Sequence, residues 1–155
     1  AGLARALGMQ VLAFDPHLPA ESAAWGQTQR CETLEALLSE ADVVSLHVPL
    51  NDQTRHLLDA DRLAVMKPGA VVINAARGGV VDEAALAEAL TSGRLSGAML
   101  DVFEQEPLGA GSVLEGGPHL VLTPHIAGVT EESNARISQM TAENVVAVLT
   151  PEGVA

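Results

Sequence analysis

Short apolar runs alternate along this chain with segments of helical periodicity, and this alternation limits the possible folds more than any other feature. One helical segment places Leu34, Leu37, Leu38 and Ala41 at the i, i+3, i+4, i+7 positions, with Thr33 before it as a candidate N-cap. The apolar runs lie at 10–14, 42–47, 70–74, 98–101 and 120–122. Strands that alternate with helices predict an α/β fold in which right-handed crossovers build a parallel sheet.

Further helices are expected at 61–66, after Asp82 and at the end of the chain, with a short helix near 21–25. Asp82 is a candidate N-cap, Leu86 and Leu90 share one buried face, and Gly93 ends that helix. The final helix is expected from about Thr130 to Leu149, before Pro151. Its apolar positions include Ile137, Met140, Val145 and Val148.

The composition supports buried parallel strands and argues against several classes of function. The chain is 48% hydrophobic but has only two Phe, one Trp and no Tyr, so its core is built from aliphatic side chains. A net charge of −12 without a basic run argues against nucleic acid as a partner. No apolar run approaches the roughly 20 residues of a membrane span. The single Cys31 fits a reduced, cytoplasmic setting.

Four segments, taken in their order and spacing, resemble the NAD-binding domain of the D-isomer-specific 2-hydroxyacid dehydrogenases. They are 14–16, 45–50 followed by Thr54, 74–83 continuing to Leu86, and 100–107 followed by 123–128. The resemblance implies a Rossmann-type doubly wound parallel sheet and an NAD-dependent enzyme acting on the CH–OH group of a small 2-hydroxy or 2-oxo acid. Glyoxylate, hydroxypyruvate, lactate and 3-phosphoglycerate are all open as substrates.

In that family the domain opens with a strand and a G-x-G-x-x-G turn, whereas residues 1–9 here resemble the second half of the helix that follows the glycines. We therefore expect residues 1–155 to be a partial NAD-binding domain without the first strand, the glycine-rich loop or the substrate-binding domain. In the strand order 3-2-1-4-5-6 the first strand is central. We expect its absence to divide the sheet into two parts, and these 155 residues alone to bind NAD weakly and to be inactive.

The resemblance assigns catalysis to Arg77, Glu106 and His125. A guanidinium at Arg77 can bind a carboxylate through two parallel hydrogen bonds and polarise the neighbouring carbonyl; the alternative is a surface residue or a salt bridge to Asp82. His125 is suited to general acid–base work because the pKa of free imidazole is near 6.5. Glu106 would orient that ring and stabilise its protonated form, with Glu104 as the nearby alternative.

The cofactor cleft is assigned by the same resemblance. Asp15, after the first strand, would accept hydrogen bonds from the adenosine ribose and disfavour a 2′-phosphate, which predicts NAD rather than NADP; a turn residue before Pro16 is the alternative. Asp101 matches the residue that contacts the nicotinamide carboxamide. The other residues expected along the cofactor are Val48, Pro49, Thr54, Ala75, Ala76, Arg77, His125 and Gly128. No metal site is expected, because no His, Cys or Asp cluster has ligand spacing.

Two other functions are compatible with these motifs. Some NAD(H)-sensing transcriptional corepressors resemble these dehydrogenases and respond to the cofactor by changing assembly, which would make the chain a binding module. Formate dehydrogenase shares the fold but has Gln where the acid pairs with His; here Glu106 occupies that position and Gln105 is one residue away. The remaining histidines, 17, 47, 56 and 119, are expected to be loop residues hydrogen-bonded to backbone. The whole protein is expected to be a homodimer.

Overall fold

The computed structural model describes residues 1–150. Its helices are α1 (Gly2–Ala6), α2 (Leu34–Glu40), α3 (Ala60–Val65), α4 (Glu83–Thr91) and α5 (Glu131–Leu149), with a 3₁₀ turn at Ala23–Trp25. Its strands are β1 (Leu12–Ala13), β2 (Gln29–Arg30), β3 (Val43–Leu46), β4 (Ala70–Asn74), β5 (Leu95–Leu100) and β6 (Leu120–Leu122). The predicted α/β class and parallel pairing are confirmed.

The strands form two separate sheets within residues 1–150. One pairs β1 with β2, and the other has the order β3-β4-β5-β6. In the larger sheet β4 pairs with β3 and with β5, so it is buried between two neighbours, and its side chains alternate between buried and half-buried. The division between β1–β2 and β3–β6 is the one expected for a Rossmann-type sheet that lacks its central first strand.

The core lies between the larger sheet and the helices α2, α3 and α4. Leu38, Leu63 and Leu86 project from these helices and are at most 1% exposed. They pack on the sheet around Val72 and Leu100, which are equally buried. Burying one such aliphatic side chain contributes about 2 kcal/mol, so aliphatic residues suffice to stabilise this layer, as the composition predicts.

Side-chain caps begin the helices where the sequence predicts them. Thr33 accepts a hydrogen bond from the amide of Ala36, and Asp82 accepts one from the amide of Ala85. Gly93, at φ 74°, follows the end of α4 and donates to the Leu90 carbonyl. This left-handed position favours glycine, because a Cβ would be strained there.

Four features differ from the sequence expectations. The strand expected at 10–14 is only two residues long, Leu12–Ala13. Strand β2 was not predicted, because two residues are too short to give a periodic signal. Strand β5 begins at Leu95 rather than at Ala98. Helix α5 begins after its cap at Thr130 as expected, but it buries none of its residues; Pro151 lies outside the described residues.

Within residues 1–150, no helix is both long enough and apolar enough to cross a membrane.

Candidate active site

The loops after β4, β5 and β6 carry the three predicted catalytic residues. Arg77 follows β4, Glu106 follows β5, and His125 follows β6. Because these strands are parallel and adjacent, their carboxyl ends lie along one edge of the sheet, which is where open α/β sheets place their ligands.

The loop of Arg77 is fixed by a buried amide side chain at the end of β4. Asn74 is 2% exposed; its Nδ2 donates to the Arg77 carbonyl at 3.0 Å, and its Oδ1 accepts from the Ala76 amide at 3.1 Å. The Arg77 side chain itself is exposed and donates to the Ala76 carbonyl at 2.6 Å. Among residues 1–150 no carboxylate forms a salt bridge with it, so the alternative pairing with Asp82 does not occur in this structure.

A close backbone contact joins the Arg77 loop to the loop that carries Glu106. A Cβ added at Gly78 would lie 1.7 Å from the carbonyl oxygen of Phe103, which no side chain could tolerate. Glycine at this position therefore allows the loops after β4 and β5 to touch. Arg77 is brought next to the Glu106 loop by this contact.

Glu106 and His125 form a direct hydrogen bond. His125 Nδ1 lies 2.8 Å from Glu106 Oε2, and the other carboxylate oxygen, Oε1, accepts from the Phe103 amide at 3.0 Å. The His125 hydrogen bond, followed by the Phe103 amide, holds the pKa of Glu106 below its usual range. The carboxylate is therefore ionised at neutral pH and orients the ring, which leaves Nε2 for a substrate.

Glu104, the alternative partner of His125, has other contacts. Its Oε1 accepts from the Glu83 amide at 3.1 Å and lies 3.2 Å from His56 Nε2. The ring of His56 thus contacts carboxylates, since its Nδ1 is 3.8 Å from Asp82, and the expectation of a backbone partner for that ring is wrong.

Asp101 is buried beneath the loop of His125. The residue is 1% exposed, and its Oδ1 accepts from the Thr123 hydroxyl at 2.5 Å and the Ile126 amide at 2.9 Å. Its Oδ2 accepts from the Ala127 amide at 2.8 Å. Desolvation disfavours ionisation, but these three donors and nearby His125 hold the pKa of Asp101 below its ordinary value.

These bonds stabilise an unusual backbone at His125. Its φ is 55°, a left-handed conformation that costs a non-glycine residue free energy. Asp101 anchors Thr123 on one side of this residue and the amides of Ile126 and Ala127 on the other. Asp101 therefore positions His125, and a contact with the nicotinamide carboxamide stays a prediction.

A cavity of ≈ 580 Å³ opens beside the Glu106–His125 pair. It is lined by Phe103, Glu106, Pro107, Leu108, Leu122, Thr123, Pro124 and His125. Most of the lining is apolar, while the carboxylate and the ring supply the polar groups. Such a cavity suits a small polar substrate whose carbon frame contacts apolar side chains.

The residues expected along the cofactor follow the carboxyl ends of five strands of the two sheets. Asp15 follows β1 and is exposed, with one oxygen accepting from the His17 amide at 2.8 Å, so it also makes the predicted turn. Thr54 uses its hydroxyl locally, donating to the Pro49 carbonyl at 2.6 Å. Val48, Pro49, Ala75, Ala76 and Gly128 follow β3, β4 and β6, and all are exposed or half-buried.

Sequence reasoning missed Asn74, Thr123 and Glu83 as parts of the site. Asn74 and Thr123 sit inside the quoted segments, directly at a strand end, and a polar residue that ends a buried strand is the signal that could have identified them. Nothing in the local sequence distinguishes Glu83 from an exposed helix residue.

The family model for the D-isomer specific 2-hydroxyacid dehydrogenase, NAD binding domain, matches residues 1–127. The chain belongs to this family. Its relatives include the (S)-sulfolactate dehydrogenase of Chromohalobacter salexigens, 61% identical over 92% of this chain and 46% of that protein. The glycerate dehydrogenase of Methylorubrum extorquens is 42% identical over 92% of this chain and 43% of its own length.

Among solved structures, a D-lactate dehydrogenase from Aquifex aeolicus complexed with NAD and lactic acid superimposes with a TM-score of 0.80. It is 34% identical, and the match covers 96% of this chain and 48% of that one. The Rossmann-type fold predicted from the sequence is confirmed by this similarity. The chain spans about half the length of the relatives and structures it matches.

The residues present fit the NAD expected for this domain. The exposed Asp15 carboxylate offers an acceptor for ribose hydroxyls, and the loops after β3 and β4 expose backbone groups at the same edge. Among residues 1–150, no group of three or more His, Cys, Asp or Glu side chains could hold a metal ion.

Proposed function

We propose that the whole protein is an NAD-dependent dehydrogenase that interconverts a small 2-hydroxy acid and the corresponding 2-oxo acid. The observation that carries this proposal is the 2.8 Å hydrogen bond between Glu106 and His125 beside a cavity. It is supported by an exposed Arg77 on the adjoining loop, which is free to bind an anion.

Each catalytic residue has one role in this proposal. Arg77 binds the carboxylate of the substrate and polarises the oxygen on C2. His125 accepts the hydroxyl proton when the hydroxy acid is oxidised, and returns it when the oxo acid is reduced. Glu106 orients the imidazole and stabilises its protonated form.

NAD(H), when bound, would supply the hydride chemistry at C2 of the acid. On this chain, Asp15 would hold the ribose, and the backbones of Val48, Pro49, Ala75, Ala76 and Gly128 would line the cofactor, with Thr54, Arg77, Asp101 and His125 nearby. Asp15 also favours NAD over NADP, because a carboxylate repels a 2′-phosphate.

For the substrate we propose D-configured 2-hydroxy acids, with sulfolactate as the first to be tested. A relative named (S)-sulfolactate dehydrogenase is 61% identical to this chain. In sulfolactate the sulfur-bearing carbon outranks the carboxyl carbon, so the (S) enantiomer has the spatial arrangement of a D-2-hydroxy acid. Its sulfonate lies at C3, away from the carboxylate and hydroxyl that Arg77 and His125 would contact.

The test is NADH formation by the purified whole protein with both enantiomers of sulfolactate, lactate and glycerate. Substrate deuterated at C2 should transfer its deuterium to the nicotinamide, and only the D-configured enantiomer should react. Binding of NADH without turnover of any acid would contradict the proposal and favour the NAD(H)-sensing alternative.

We further propose that the whole protein is a cytoplasmic homodimer that binds neither nucleic acid nor membranes. The strong negative charge argues against nucleic acid, and the single cysteine suits a reduced cytoplasmic setting. The test is light scattering after gel filtration of the whole protein, which should give a molar mass twice that of the monomer.

A further inference from the structure

Helix α4 and the loop after β5 exchange hydrogen bonds that the catalytic roles do not require. Glu83, the first residue of α4, is 9% exposed, and its Oε1 accepts from the Glu104 amide at 2.6 Å. In return, Glu104 Oε1 accepts from the Glu83 amide at 3.1 Å. Each residue thus binds the backbone of the other with its side chain, and the two elements are fixed in relative position.

This reciprocal pair lies close to Glu106 along the chain. The Phe103 amide, one residue before that of Glu104, donates to Glu106 Oε1 at 3.0 Å. The other oxygen of Glu106 receives His125 Nδ1. A shift of the backbone at 103–104 would therefore move the carboxylate that orients the imidazole.

The Glu83–Glu104 pair is also connected to the Arg77 loop, through His56. His56 contacts Glu104, and its own amide donates to the Gly79 carbonyl at 2.8 Å. Gly78 touches the Phe103 carbonyl directly. The segment 102–106 is thus held between α4 and the loop after β4.

We propose that Glu83 is a positioning residue for catalysis: through its reciprocal bonds with Glu104 it fixes the loop that aims Glu106 at His125. This inference rests on the proposed dehydrogenase function for its effect on turnover, although the effect on the His125 ring is independent of activity.

The surroundings of Glu83 indicate that its acceptor oxygen is needed rather than its charge. Desolvation raises the pKa of Glu83 above its ordinary value; the Glu104 amide opposes this, and the charges of Glu104 and Asp82 add to it. Ionised Glu83 therefore costs stability near neutral pH, because a raised carboxyl pKa stabilises the fold only at lower pH. A glutamine would keep the acceptor without that cost.

The experiment is a double-mutant cycle in the whole protein. Glu83→Ala should lower kcat about tenfold, because a displaced Glu106 orients His125 poorly. The KM for the 2-oxo acid should change little, and Glu83→Gln should restore kcat. In the Glu106→Ala background, which removes the orienting group itself, Glu83→Ala should cost little further, since Glu83 acts on His125 through Glu106. Glu88→Ala, on an exposed position of the same helix, is the matched control.

The NMR signals of the His125 ring nitrogens provide the readout that needs no turnover. They should shift in Glu83→Ala, return in Glu83→Gln, and stay unchanged in Glu88→Ala. Unchanged signals of the His125 ring nitrogens in a folded Glu83→Ala protein would overturn the inference. An equal loss of kcat from Glu83→Ala with and without the Glu106 substitution would also overturn it. A wild-type protein that turns over no acid contradicts the proposed function alone, because the ring signals still decide whether Glu83 positions His125.

Discussion

Arg77 and His125 lie in loops at the same edge of the sheet, but their side chains differ in how firmly internal hydrogen bonds hold them. His125 is bonded to Glu106, and its loop is tied to the buried Asp101 by three hydrogen bonds. The Arg77 guanidinium is exposed, and within residues 1–150 its one side-chain hydrogen bond is to the neighbouring carbonyl of Ala76. In the Arg77 loop the bonds hold the backbone, through Asn74, and leave the charge free.

This difference follows from what each group would do. A group that moves a proton needs a fixed direction and tautomer, so internal partners improve it. A group that binds an anion loses strength if an internal carboxylate already neutralises it. Substitutions on the two sides should therefore separate effects on stability from effects on substrate use.

The largest effect on activity is expected from Arg77→Ala. It should lower kcat/KM of the whole protein about a hundredfold, because a bidentate, charge-assisted contact with the substrate carboxylate is lost. The melting temperature should barely change, since the side chain has few contacts within residues 1–150. Steady-state kinetics beside a thermal melt measures both quantities.

Two further variants sharpen this result. Arg77→Lys keeps the charge but loses the paired geometry, so it should recover only part of kcat/KM. Arg136→Ala, at an exposed arginine on α5, should leave the kinetics unchanged. Near-normal kcat/KM in Arg77→Ala would remove this residue from the proposed mechanism.

The sequence predicted the alternating elements well, because their signals are local. Caps such as Thr33 and Asp82 and the buried positions Leu86 and Leu90 depend on neighbours along the chain. It could not predict that α5 would be exposed: Ile137 and Met140 are apolar at helical spacing, yet 57% and 55% exposed. Periodicity identifies an apolar face, but burial depends on a surface elsewhere.

The same limit applies to the candidate site. The motif identified Glu106 over Glu104, and the observed hydrogen bond to His125 agrees with that choice. The contacts of Asp101 with residues 22 to 26 positions away could not be read from spacing, since they depend on the pairing of β5 with β6. Long-range positioning is therefore what the sequence reading lacked.

The next largest effect is expected from Asp101→Asn, which disturbs both stability and chemistry. Its amide group cannot accept from all three donors, so unfolding free energy at neutral pH should fall by about 3 kcal/mol. Kcat should fall about thirtyfold as the His125 loop shifts. Urea denaturation and steady-state kinetics of the whole protein provide the two measurements.

The pH dependence of stability gives a sharper form of this test. The pKa of Asp101 is lowered in the fold, so the ionised carboxylate stabilises the folded state at pH values above the ordinary aspartate pKa. This stabilisation is lost as the pH falls. The stability difference between wild type and Asp101→Asn should therefore shrink as pH falls below about 4, the ordinary aspartate range. Thr123→Val, which removes one donor, should cost only about 1 kcal/mol. A pH-independent difference would contradict an ionised Asp101.

The smallest effect is expected from Glu106→Gln, which keeps the shape of the side chain and removes its charge. The lowered pKa of Glu106 means that its carboxylate is ionised above the ordinary glutamate range and is neutralised only as pH falls. At neutral and alkaline pH this charge favours the protonated imidazole that gives its proton in reduction of the oxo acid.

Removing the charge should thus move the basic limb of the pH–rate profile for reduction to lower pH, with kcat/KM on that limb reduced about tenfold. The acidic side should change less, because the charge that the substitution removes is itself lost from Glu106 as pH falls. Gln105→Ala, at the adjacent exposed position, is the control and should leave both limbs in place. A basic limb that does not move in Glu106→Gln would mean that the hydrogen bond orients His125 without stabilising its protonated form. Arg77 and His125 would then differ only in how firmly their side chains are held.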